Sequence, residues 1–111
     1  MYDIDLLSQM LPVRNGKISM KQLYEFLGYD ISHYSRWVRR NLLYNKSLQC
    51  NVDYIPIVIY AEGQPNPTTE YMVSLDVGKD LALKAHNEIG LQVREYFIKQ
   101  EKVLAKVLQN I

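Results

Sequence analysis

One stretch constrains this chain more than any other: a short strand pattern that passes directly into two helical patterns, Tyr71 to Lys102. Tyr71-Met72-Val73 reads as the end of a strand, and Ser74 follows as a helix N-cap whose hydroxyl accepts from the free N–H groups of the first turn. Asp76 stands where the helix dipole favours an anion. Val77, Leu81 and Ala85 then recur on one face, with Ala82 beside them. Asn87-Glu88-Ile89-Gly90 is expected to break the helix, because Asn and Gly both tolerate the left-handed backbone that ends one. A second helix continues through Val93, Tyr96 and Phe97, with Arg94, Glu95, Lys99 and Glu101 on its wet side. Two helices joined by so short a break fold onto each other or onto a shared third element, and the upstream chain reads as that element.

At 111 residues the chain suits one domain, and 48% apolar residues argue against disorder. Residues 2–11 place Leu6, Leu7, Met10 and Leu11 at helical spacing, with Asp3 or Asp5 to start the helix and Pro12 to stop it. Asn15-Gly16 suits the two positive-φ positions of a type I′ turn between Val13 and Ile18. Ser19 and Gln22 form a capping box, after which Met20, Leu23, Tyr24 and Leu27 share a face and Gly28 ends the helix. The next helix starts at Asp30 or Ser32 and buries Tyr34, Trp37, Val38 and Leu42. The two helices joined across Gly28-Tyr29-Asp30 have the outline of a helix-turn-helix. Tyr54 to Tyr60 is β-prone, and Pro56, which lacks an N–H, assigns it to a sheet edge. The loop Glu62 to Thr69 returns it to Glu70–Val73 as an antiparallel hairpin. The expected architecture is a small α+β domain, several helices packed on a short antiparallel sheet, with a longer C-terminal helix.

Chemistry is sparse. His33 and His86 stand alone, Cys50 has no cysteine partner, and Gly63 and Gly90 are isolated, so no ligand cluster, nucleophile–base set or phosphate-cradling loop is legible. Neither a cofactor nor catalysis is expected. A formal net charge of +1 weighs against a dedicated nucleic-acid binder. No apolar run reaches the roughly 20 residues that span a bilayer and no charged-then-apolar leader opens the chain, so a soluble cytoplasmic protein is expected. The one constellation with functional promise is basic: Arg36, Arg39 and Arg40, with Asn41, Tyr44, Asn45 and Lys46 nearby as further donors and charge. Such a group suits phosphate or an acidic protein surface equally, and spacing alone does not separate DNA from protein. Beyond it, Phe97, Leu104, Val107, Leu108 and Ile111 form a terminal apolar stripe, read as an oligomerisation surface or a link to a further domain over residues 103–111.

From Ser19 to Lys102 the chain resembles the AntA/AntB antirepressor domain of phages and prophages. The likeness is carried in order by Ser19-Met20-Lys21-Gln22-Leu23-Tyr24-Glu25-Phe26-Leu27-Gly28, by Tyr34 and Trp37, by Asn51-Val52-Asp53-Tyr54, by Tyr71 through Ala82, and by Arg94 through Lys102. Gly78 departs from the family's Ala and Tyr24 from its His, and the loop Glu62 to Thr69 lacks the basic residues some members carry there. The resemblance implies an antirepressor-like domain over residues 1–102 that binds a phage-type repressor protein in a bacterial host cell and relieves transcriptional repression. Related Bro-N and KilA-N domains imply the alternative, a DNA-binding module. Either reading is compatible with a homo-oligomer.

Overall fold

The computed structural model describes residues 4–109. Helix α1 (Ile4–Met10) carries Asp5 in its first turn; Asp3, the other candidate start, lies outside the described residues. Of the expected stripe only Leu7 and Leu11 are buried, while Leu6 and Met10 remain exposed. The helix has seven residues, of which Leu7 alone is buried, and Leu11 follows just past its end. The buried Tyr96 hydroxyl, which donates to the Leu11 carbonyl at 2.9 Å, holds its end down.

Asn15 and Gly16 take φ of 54° and 73°, as a type I′ turn requires, and Arg14 and Lys17 exchange backbone bonds of 2.9 and 3.0 Å across it. Strand β1 (Lys17–Ser19) leads straight into α2 (Met20–Phe26), whose Gln22 N–H donates to Ser19 Oγ. Met20, Leu23, Tyr24 and Leu27 are all buried, and Gly28 ends the turn at φ 85°. A 3-10 turn (Ile31–His33) and α3 (Tyr34–Val38) follow, and the helix then widens into a π segment (Arg39–Leu43).

The sheet has the order β1-β3-β2, with β3 (Thr68–Ser74) central and antiparallel to both neighbours. Val73 sits opposite Ile18 on one side and Tyr54 on the other, which places the middle of the sheet in the core. Strand β2 (Tyr54–Ile59) is an edge. The Asp53 carbonyl accepts from Ser74 of β3, whereas the Tyr54 carbonyl accepts from Asn51 on the other side. Alternation along the strand therefore turns the position of Pro56's missing N–H outwards, where no sheet bond is lost.

Ser74 caps α4 (Leu75–Lys84) through Val77 N–H, and α5 (Glu88–Gln109) follows. The break between them differs from expectation. His86 takes the left-handed conformation, at φ 54°, while Asn87 accepts from Gly90 N–H at 2.7 Å and so starts the next helix. Gly90 lies inside α5 and is buried, because a Cβ there would strike the Ala82 carbonyl oxygen. Gly78 plays a similar part: a Cβ would come 2.9 Å from Ile18 Cδ1 and 3.0 Å from Phe97 Cε2. Lys79 lies 3.1 Å from Asp76 and 2.6 Å from Glu101, tying α4 to α5 across the surface.

Leu81, Tyr96 and Phe97 join the core as expected, together with Leu75; Val38 and Leu42 are buried, whereas Tyr34 and Trp37, expected to be buried, pack against the core only half-buried, as does Tyr71. Among the described residues no helix is long and apolar enough to cross a membrane.

Candidate functional site

The segment from Tyr24 to Arg40 builds a pocket from its backbone outwards. Asp30 starts the 3-10 turn by accepting from both the backbone N–H and the hydroxyl of Ser32, each at 2.9 Å. Those two bonds, the backbone one first, hold its carboxyl below the usual carboxylate range. The Tyr24 hydroxyl donates to the Asp30 carbonyl, so α2 and the start of the next helix are joined by a ring. Burial raises the Tyr24 hydroxyl above the ordinary phenol value, with the Asp30 charge second.

Four rings then pack together. Tyr24 lies 5.2 Å from Tyr29, 5.1 Å from Tyr34 and 4.9 Å from Trp37, centroid to centroid, in tilted or edge arrangements. Tyr29 and Tyr34 reach Trp37 at 6.0 and 6.4 Å. A pocket of about 280 Å³ lies beside them. Its lining combines Tyr24, Tyr29 and Trp37 with Asp30, His33, Arg36 and Arg40.

The expected basic group is split by helix geometry. Arg36 and Arg40, one turn apart, line this pocket together. Arg39 falls on another side of the helix, beside Tyr34, Leu43, Thr69 and Tyr71, where a second pocket of about 250 Å³ opens. None of the three arginines takes part in an ion pair among the described residues. Asn41 is half-buried and donates to the Trp37 carbonyl at 3.0 Å, one of the side-chain contacts that accompany the π segment. Such segments recur at functional sites. Tyr44 is 73% exposed and Lys46 is exposed, both beyond the helix end and away from the pocket lining.

Tyr34 stands between the two pockets. Its hydroxyl is buried without a hydrogen-bond partner among the described residues, and burial, reinforced by Glu70 and Tyr71, pushes it up to about 12. Tyr24 and Tyr29 are pocket-wall residues that the sequence reading did not place in the candidate site. In the sequence Tyr24 reads as a core position and as a departure from the family's His, and Tyr29 as part of a link. His33 reaches the pocket, but among the described residues no group of three His, Cys, Asp or Glu side chains is placed to hold a metal ion.

The terminal stripe divides as well. Phe97 is fully buried and belongs to the core, whereas Leu104, Val107 and Leu108 are 41%, 54% and 62% exposed along the second half of α5. Ile111 lies outside the described residues.

Neither the curated proteins nor the solved structures contain a match to this chain. A family model does match: that of the AntA/AntB antirepressor, over residues 18–87, which run from β1 past the end of α4 and include every residue of the aromatic pocket.

Proposed function

The chain belongs to the AntA/AntB antirepressor family, and from that premise we propose that it is a phage or prophage antirepressor module that captures a repressor protein and thereby relieves transcriptional repression. The observation that carries this reading is the pair Arg36 and Arg40, free of ion pairs among the described residues, on the rim of an aromatic pocket. Arginine makes forked bonds to carboxylates, and aromatic walls give a partner side chain something to bury against. Arg39, at the second pocket, and Tyr44 and Lys46, beyond the helix end, are secondary contact candidates outside this pocket, with Asn41 supporting the helix. The unpaired Arg36, Arg39 and Arg40 also suit phosphate, so a DNA-binding module is the second reading. Against it stands the near-neutral net charge of +1. Self-association through Leu104, Val107 and Leu108 belongs to the same proposal, since an apolar stripe along a helix end is best covered by a second copy of itself.

A pull-down with the cognate phage repressor, run beside a duplex DNA shift at low and physiological salt, tests this reading. Capture of the repressor without a DNA shift at physiological salt is expected. Tight duplex binding by the domain, lost on Arg36→Glu with Arg40→Glu, overturns it in favour of DNA.

A further inference from the structure

We infer that the pocket beside α3 is a receptor for a single acidic–aromatic anchor of the partner protein: one ring inserted against Tyr24, Tyr29 and Trp37, with a neighbouring carboxylate held by Arg36 and Arg40. The inference rests on the antirepressor reading and names the chemistry its partner presents.

Size limits the occupant first. A volume of about 280 Å³ lies just below the range of small-molecule sites, ~300–1,000 Å³. It takes one bulky side chain rather than a helix or an extended segment. The walls choose the kind of side chain. Three rings already packed in tilted arrangements offer a fourth ring both edges and faces, which an aliphatic chain uses less well.

Charge then sets the flank. Arg36 and Arg40 are one helical turn apart, about 5–6 Å between their Cβ atoms, so both reach a single carboxylate. Asp30 stands on the wall of the same pocket and is kept ionised by Ser32. A lone carboxylate at the arginine rim brings a single negative charge near it. A phosphate chain, with a charge at every nucleotide, meets it. Arg39, which a linear backbone track would need beside its neighbours, faces the other pocket.

Trp37 is the only tryptophan in the chain, so its emission reads occupancy of the pocket directly. The full chain is titrated with N-acetyl-Asp-Phe-Asp amide, with the Asn-Phe-Asn and Asp-Ala-Asp versions, and with a thymidine dinucleotide. A saturable change is expected for the Asp-Phe-Asp peptide alone, at affinities up to about 10 mM, weakened about tenfold or more by Arg36→Gln with Arg40→Gln. Circular dichroism and an unchanged melt confirm that the double variant is folded. No response to Asp-Phe-Asp, an equal response to Asn-Phe-Asn or Asp-Ala-Asp, or a stronger one to the dinucleotide overturns the inference. Repressor capture separates the two proposals. If the double variant still captures repressor as the wild type does, this inference fails and the antirepressor reading stands. If the peptide binds as expected but wild type captures no repressor, the reverse holds.

Discussion

The α4–α5 pair and the α2–α3 pair are each two helices joined by a short break, yet they close in opposite ways. Between α4 and α5 the contacts are made by small residues. Gly78, Ala82 and Gly90 let the helices approach until a Cβ on Gly90 would strike a backbone oxygen, and Phe97 fills what remains. Between α2 and α3 the contacts are rings, with Tyr24, Tyr34 and Trp37 packed in tilted and edge arrangements 4.9 to 6.4 Å apart. Beside these rings a pocket of about 280 Å³ stays open, lined also by Arg36 and Arg40, which form no ion pair among the described residues. One pair is closed by small residues, and the other leaves open the pocket on which the proposed partner contact rests.

Breaking the tight pair has the largest expected effect. Phe97→Ala removes a fully buried ring and costs about 3–5 kcal/mol, a large share of the roughly 5–15 kcal/mol that holds a domain together. Urea denaturation reads this directly, and an unchanged midpoint contradicts the assignment of Phe97 to the core. Trp37→Ala, at the half-buried wall of the open pair, costs less, about 1–3 kcal/mol. Equal losses for the two variants mean that the pairs do not differ. Gly90→Ala costs about 1–3 kcal/mol by overpacking, although Ala is the better helix former. A stabilised Gly90→Ala protein shows that α4 and α5 are not in closest approach.

Removing the chain after Lys102 leaves the buried part of α5 intact and deletes Leu104, Val107 and Leu108. Light scattering is expected to show an oligomer for the full chain and a monomer for the shortened one. Two monomers at high micromolar concentration contradict self-association through this stripe.

The smallest effect is alkaline. The hydrogen bond to Glu101, and after it that to Asp76, raises Lys79 above the ordinary lysine value. Its contribution is complete below the unfolded lysine value, about 10.4, and is lost as pH rises through the folded one. Burial takes Tyr34 to about 12, so the unfolded chain ionises this phenol first, near pH 10, and stability falls from there towards 12. Melting curves between those limits should flatten in part with Lys79→Met, which acts on the tight pair, and in part with Tyr34→Phe, which acts on the open one. If neither variant changes the slope, neither shift is coupled to folding.

Much of this fold is legible in the sequence where the chemistry is local. Ser19, Ser74 and Asp30 as caps, and Asn15-Gly16 as a turn, follow from what those residues do to their own backbone. The edge position of β2 follows from Pro56 alone. Gly90 shows the limit. Glycine signals a break along one dimension, but here it answers an approach by Ala82, eight positions earlier, and that approach exists only once the chain has folded. The left-handed residue at this break is His86, a type that tolerates this conformation but signals it more weakly than the neighbouring Asn87 and Gly90. The site behaves likewise. Its arginines stand out as a run of charge, and their division into Arg36 with Arg40 against Arg39 is helical spacing. That Tyr24 and Tyr29 form the wall beneath them depends on how four rings meet, and no linear pattern encodes it.

The central claim is that this domain holds a repressor protein through the arginine-rimmed pocket. Calorimetric titration of the purified cognate repressor into the wild-type chain and into Arg36→Glu with Arg40→Glu, at physiological salt, tests it most directly. Saturable binding to the wild type, reduced at least about a hundredfold in the folded double variant, is the predicted result. Equal binding by both proteins, or none by the wild type, contradicts it.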